Sequence, residues 1–345
     1  MQRHGESVGG RSEKMIAIDA MGGDFAPKAA CEGAVEACTK RSNLQVALVG
    51  DSAQIEPLIA KAPADVLGRI KIIHTSEVIQ GDDHPSVSIR KKKDSSLVVA
   101  LRMVKEGRAD GLVTAGNTGA VAAGGVLILG RLEGIDRPAL GIVYPSVSRP
   151  VLLLDVGATV HCKPINLYQF AAMGHIYAQI FEHIDNPEVK LLNIGTEDIK
   201  GDEAILSAAE MLKADDDINY CGFVEANELS EGSCDVVVCD GFTGNVMIKF
   251  AEGLVDLIKT EFKKEFKEHL LPKLGLPFML PAVKRFSARI DWTKIGHACL
   301  LGVNGTVIKV HGRSRKTQLC YAILGADDFV KRDGLVKIME AIAKR

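Results

Sequence analysis

Val236-Val237-Val238-Cys239-Asp240-Gly241-Phe242-Thr243-Gly244-Asn245 is an apolar run that ends in a carboxylate and a Gly/Thr/Asn turn, and a helical pattern follows over Val246 to Lys263. A continuous apolar strand handing over to a helix is the unit of a sheet covered on both faces. The free backbone N–H groups and dipole at the start of such a helix favour an anion, and phosphate fits there. The same order recurs at Gly111-Leu112-Val113-Thr114-Ala115-Gly116-Asn117-Thr118-Gly119 and at Leu191-Leu192-Asn193-Ile194-Gly195-Thr196-Glu197. Three such turns point to one anion site built from several strand ends.

Short apolar runs alternate with helical patterns along the chain. They cover Ile16 to Ala20, Val46 to Gly50, Ile70 to His74, Gly111 to Thr114, Val151 to Val156, Lys190 to Ile194, Tyr220 to Val224 and Val236 to Asp240. The expectation is an α/β fold, a mostly parallel Rossmann-like sheet with helices on both faces and ligands outside the carboxyl ends of the strands. Residues 1–14 are Gly-, Ser- and charge-rich and read as a disordered extension without a secretory h-region. Residues 15–345 read as a single α/β domain, since no Pro/Ser linker or low-complexity tract divides them.

The 345 residues carry a net charge of -2, which removes the global electrostatic case for nucleic acid. Cys31, Cys38, Cys162, Cys221, Cys234, Cys239, Cys299 and Cys320 contain no CxxC pair, so reduced core thiols of a cytoplasmic protein are expected. No run approaches the roughly 18 apolar residues of a spanning helix. Residues 260–292 read as a projecting helical hairpin. Leu254, Ile258, Phe262, Phe266 and Leu270 stand at fourfold spacing, then Leu271 to Pro281 forms a Pro-punctuated apolar tip, followed by Lys284, Arg285 and Arg289. Two readings stay open for it: an element lying on a membrane surface, and a hairpin packed against a second subunit.

The chemistry-bearing residues sit at the turns. Asp19-Ala20-Met21-Gly22-Gly23-Asp24 closes a strand with a carboxylate and two glycines that let backbone approach a ligand. Lys200, after Thr196, can act as a point charge on phosphate, or pair with Glu197 or Asp198. Arg90-Lys91-Lys92-Lys93-Asp94-Ser95-Ser96 sets a basic cluster ahead of a helix. GxSxG, GxxxxGK[ST] and GxGxxG patterns are absent, and His161, His297 and His311 are not spaced as metal ligands, so neither nucleotide nor metal is expected. Cys239 reads as a buried thiol. If phosphate itself is the nucleophile, Thr, Asn, Lys and backbone N–H groups suffice for acyl transfer.

From Met15 onward the chain resembles the bacterial phosphate acyltransferases. The motifs are Ile18 to Asp24, Arg90 to Ser96, Thr114 to Ala120, Asp155-Val156-Gly157-Ala158, Gln169 to Gly174, Gly195 to Glu203, Phe223 to Asn227, Asp240 to Asn245 and Leu301 to Gly305, in family order. The resemblance implies a homodimer with a fold similar to phosphotransacetylases and isocitrate dehydrogenases, working without a cofactor. It implies acyl transfer from acyl-acyl carrier protein to inorganic phosphate in phospholipid synthesis. The acyl phosphate would pass to a membrane acyltransferase that acylates glycerol 3-phosphate, which would hold the enzyme at the inner face of the membrane.

Lys200 and Asn245 are the expected catalytic residues. Asp19, Gly22, Gly23, Lys93, Ser95, Gly116, Asn117, Thr118, Gly119, Thr196, Asn227, Asp240, Thr243 and Gly244 are the expected substrate-binding residues. Leu276, Phe278, Met279, Lys284, Arg285 and Arg289 are the expected membrane or carrier-protein surface. Thr159, His161, Ile295, His297, Arg313 and Arg315 depart from the family pattern, the two arginines bearing on the rim of the site. The alternatives are a phosphotransacetylase-like enzyme using acyl-CoA and a non-enzymatic scaffold on a membrane surface.

Overall fold

The computed structural model describes residues 14–268, 278–282, 285 and 297–343, and its strands join in one sheet. They are β1 (Met15–Asp19), β2 (Gln45–Gly50), β3 (Ile70–His74), β4 (Gly111–Thr114), β5 (Ala139–Tyr144), β6 (Val151–Leu154), β7 (Val189–Leu192), β8 (Tyr220–Val224), β9 (Val236–Val238), β10 (His297–Leu301) and β11 (Thr306–Val310). Their order is β3-β2-β1-β4-β11-β10-β5-β6-β9-β7-β8. Each run expected to be a strand is one, and β5, β10 and β11 are additional.

The pairings divide the sheet. β3, β2, β1, β4 and β11 are mutually parallel, and so are β6, β9, β7 and β8. Between them β11 to β10, β10 to β5 and β5 to β6 are antiparallel. Three successive reversals leave the two parallel halves running in opposite directions, so their carboxyl ends do not share one edge. Residues of both halves meet instead over the antiparallel centre.

Side chains alternate between two cores, as strands require. Ile16, Ile18, Val46 and Leu48 face one; Ala17, Ala47, Val49 and Leu112 face the other. Burial on both faces is why the strands read as unbroken apolar runs. Small residues bring helices close: a Cβ on Gly33 of helix Lys28–Lys40 would lie 2.6 Å from Leu319 Cβ of helix Lys316–Lys331. One on Gly174 of helix Pro164–Phe181 would lie 2.7 Å from Val236 Cγ1.

Helix Gly241–Glu268 follows β9 and enters the segment expected to project. Its Phe242, Val246, Phe250, Leu254, Leu257 and Phe262 are exposed apolar side chains. Of the expected tip, Leu276, Lys284 and Arg289 lie outside the described residues, while Phe278 is 89% exposed and Met279 and Arg285 are exposed. Residues 1–13 also lie outside them; Lys14 Nζ pairs with Asp110 Oδ1 at 3.5 Å. Among the described residues no helix is long and apolar enough to cross a membrane.

Candidate active site over the centre of the sheet

Each half closes on a buried carboxylate. Asp19, the last residue of β1, accepts from Ser96 Oγ at 2.6 Å and from Thr114 Oγ1 at 2.7 Å. Thr114 Oγ1 in turn accepts the Gly116 N–H at 2.9 Å. Burial pushes the Asp19 carboxyl up, against the lowering effect of the two hydroxyls and the Met21 and Gly22 N–H groups. A Cβ on Gly22 would sit 2.5 Å from Asp19 Oδ2 and 2.8 Å from Gly116 N. Asp19 and Gly22 thus lock two turns together, and Gly116 needs room for the same contact.

Asp155 does the equivalent work after β6. Its Oδ1 accepts N–H groups from Leu140 at 2.8 Å and from Gly157 and Ala158 at 3.0 Å; Oδ2 accepts from Thr159 at 2.6 Å. Burial pushes its pKa up to about 6, opposed by those four donors. A Cβ on Gly244 would fall 1.9 Å from the Asp155 carbonyl oxygen, and one on Gly241 would fall 2.6 Å from Asp155 Oδ2. The first turn of helix Gly241–Glu268 therefore rests directly on the Asp155 turn. Asp155 was read as a family motif and not as a site residue. Its sequence signal is the parallel between Asp155-Val156-Gly157 and the Asp19 to Gly22 strand end.

The donors expected to be free for phosphate at this helix start are occupied. Asp240 Oδ1 accepts the Phe242 and Thr243 N–H groups at 2.9 Å, its Oδ2 accepts Thr243 Oγ1 at 2.6 Å, and Thr159 O accepts the Gly241 N–H at 2.8 Å. Asp240 is an N-cap, and its negative charge takes the place an anion would take. The other turns are similarly engaged. Asn117 Oδ1 accepts the Ala120 N–H at 3.0 Å and its amide donates to Gly81 O at 2.8 Å. Ser95 Oγ donates to Lys92 O at 2.7 Å. Lys200 Nζ lies 2.7 Å from Glu197 Oε1 in a half-exposed pair, the second of the two roles its sequence position allows. That pairing raises the Lys200 pKa. Lys93, Thr196 and Asn227 are exposed. Gly23 has a left-handed φ of 94° and faces Gly312 O, where a Cβ would lie 3.0 Å away. Gly119 lies against Pro85, whose Cγ is 2.7 Å from the position a Cβ would take.

Two cavities flank the first turn of helix Gly241–Glu268. One, of about 810 Å³, is mostly apolar, with Leu167, Leu191, Ile205, Val238, Phe242 and Met247 in its walls and Asn193, Asp202, Asp240 and Thr243 at its polar positions. Gly201 and Asp202, next to Lys200, also line it. The other, of about 630 Å³, lies over the antiparallel centre, floored by Leu140, Ile142 and Ala298. Thr118 of the first half and Asn245 of the second reach it together. Lys249, Lys309, His311 and Arg313 line it too. Of these, the sequence singles out Arg313 as bearing on the rim of the site. Lys309 was passed over, although a lone cation in the apolar run Thr306-Val307-Ile308-Lys309-Val310 is the pattern of a buried functional charge. Among the described residues no group of three or more His, Cys, Asp or Glu is placed to hold a metal.

This fold is that of the phosphotransacetylases. The phosphotransacetylase of Streptococcus pyogenes superposes with a TM-score of 0.61 at 17% identity, covering 92% of this chain and 94% of that one. A branched-chain phosphotransacylase of Enterococcus faecalis gives 0.57 at 14% identity, covering 92% and 99%. In sequence, the family described as "Fatty acid synthesis protein" matches residues 14–337. The phosphate acyltransferase of Heliobacterium modesticaldum is 46% identical over 327 residues, 95% of this chain and 97% of that protein. That of Alkaliphilus oremlandii is 45% identical over 330 residues, with the same shares. The chain is an acyltransferase, and it belongs to the phosphate acyltransferase family.

Proposed function

We propose that the protein transfers a fatty acyl group from acyl-acyl carrier protein to inorganic phosphate, making acyl phosphate for phospholipid synthesis. The observation that carries this reading is the pair of cavities on either side of one helical turn, of which only one is lined by a cluster of cations. The apolar one suits an acyl chain and the cation-lined one an anion, with Asn245 beside the junction. A phosphate oxygen forms a bond to the thioester carbonyl carbon, the C–S bond breaks, and the carrier leaves as a thiolate that takes up a proton. Asn245 and Thr118 offer side-chain donors where charge develops on the carbonyl oxygen and the attacking phosphate. Lys200, the residue before Gly201 and Asp202 of the apolar cavity wall, leaves Glu197 to meet negative charge on the incoming donor or intermediate.

The exposed apolar side of helix Gly241–Glu268 supports a second copy of the chain as its cover. The exposed Phe278 and Met279 support contact with a membrane surface, from which a glycerol 3-phosphate acyltransferase would take the product. Lys200→Ala is expected to lower turnover at least about tenfold, roughly 1.4 kcal/mol in the barrier; an unchanged rate would remove Lys200 from the mechanism. The donor is decided by offering acyl-carrier-protein and acyl-CoA thioesters in one competition assay. A higher kcat/KM for the carrier is expected, and a preference for CoA would replace this reading with a phosphotransacetylase-like one.

A further inference from the structure

We propose that the cavity over the antiparallel centre is the orthophosphate seat, anchored by Lys309 and completed by Lys249 and Arg313. This rests on the reading that phosphate is the acyl acceptor. Lys309 stands on β11 opposite Thr114 of β4 and Ala298 of β10, pointing into the cavity with only 7% of its surface exposed. Its ammonium donates to the carbonyl of its neighbour Val310, and among the described residues no carboxylate lies within ion-pair distance of it. An ammonium carries three donors, and a buried cation without a counter-charge is costly. Burial, aided by Lys249, pushes its pKa down to about 8.

Two of the carboxylates nearby, Asp19 and Glu252, are already engaged. Asp19 holds Ser96 and Thr114, and Glu252 Oε2 lies 2.8 Å from Lys249 Nζ. Lys249 Nζ also lies 2.7 Å from His311 Nε2, while His311 Nδ1 accepts the Arg313 N–H at 3.0 Å. Burial lowers the pKa of His311, which favours its neutral form. The cavity wall holds Lys249, Lys259, Lys309 and Arg313 against Glu252 and Asp256, an excess of positive charge. A dianion seated there supplies what Lys309 lacks. It also reaches Thr118 and Asn245, whereas the helix-start donors at Asp240 are taken. The loop that carries His311 and Arg313 is tied to the Asp19 motif: the Asp24 N–H donates to Gly312 O at 2.8 Å.

The test is titration of the full chain with inorganic phosphate, read by calorimetry, alongside steady-state kinetics. Lys309→Met is expected to weaken phosphate binding at least tenfold and to raise the KM for phosphate likewise, with the KM for the acyl thioester unchanged. Lys249→Met combined with Arg313→Met, both at exposed positions, is expected to give the same signature and decides the matter if Lys309→Met does not fold. Wild-type affinity should fall as pH rises through about 8, where phosphate is already dianionic, and this fall should vanish in Lys309→Met. The groups facing Lys309 there are Lys249, Glu252, His311, Arg313, Asp19 and Asp24. Unaltered phosphate affinity in these variants overturns the seat even if acyl phosphate is still made. Phosphate binding that depends on Lys309 in an enzyme that makes no acyl phosphate keeps the seat and refutes the acyl-transfer reading. Displacement of bound phosphate by holo- but not apo-acyl carrier protein would assign the cations to the donor's phosphodiester and overturn the proposal.

Discussion

Gly244→Ala is expected to lower acyl phosphate formation about 100-fold and to destabilise the fold by about 3 kcal/mol. The added methyl would lie 1.9 Å from the Asp155 carbonyl oxygen, an overlap with backbone that no rotamer relieves. The helix start must lift off the Asp155 turn, and Asn245, the next residue, moves with it. Because the same turn separates the two cavities, both the acyl and the phosphate side lose their register. The check is a pair of measurements on one sample, thermal unfolding and turnover at saturating substrates. Wild-type activity in a folded Gly244→Ala protein would show that the position of this turn does not govern the reaction.

Asp155→Ala is expected to cost on the order of 4 kcal/mol, the larger stability effect of the two. It strips the acceptor from four N–H groups, those of Leu140, Gly157, Ala158 and Thr159, around a carboxylate that is itself fully buried. Asp155→Asn keeps one oxygen for part of that set and turns an amide toward the rest, so roughly half the loss is expected. Denaturant unfolding of both variants measures this. Equal, small losses in the two would mean that water reaches the turn and that the carboxylate is not its organiser. Asp19 differs in kind, since its main partners are two hydroxyls that can find other acceptors.

The parallel halves were legible because their strands are buried on both faces, so Val46 to Gly50 or Val236 to Val238 read as unbroken apolar runs. The centre was harder. β10 begins at His297 and β11 contains Lys309, and both escape a search for apolar runs, although Val303-Asn304-Gly305 between them is a hairpin signal. Without β5, β10 and β11 the three reversals were invisible, and the strand ends looked as though they shared one edge. The Asp-Gly-Phe-Thr-Gly-Asn turn was correctly placed at a helix start. Sequence alone did not settle whether its donors meet a ligand or its own aspartate, because a cap and an anion cradle require the same residues. Lys309 was missed for a related reason: its charge matters only because the fold buries it next to Thr118 and Asn245 in one cavity.

Direct attack by phosphate on the thioester, with no acylated enzyme between, is the claim on which the rest depends. It is tested by mixing enzyme with acyl-carrier-protein thioester, with and without phosphate, and following thiol release and acyl phosphate together. The account predicts that the two rise in equal amounts and that neither appears without phosphate. A burst of thiol matching the enzyme concentration in the absence of phosphate, or thiol release with phosphate but without acyl phosphate, would contradict it.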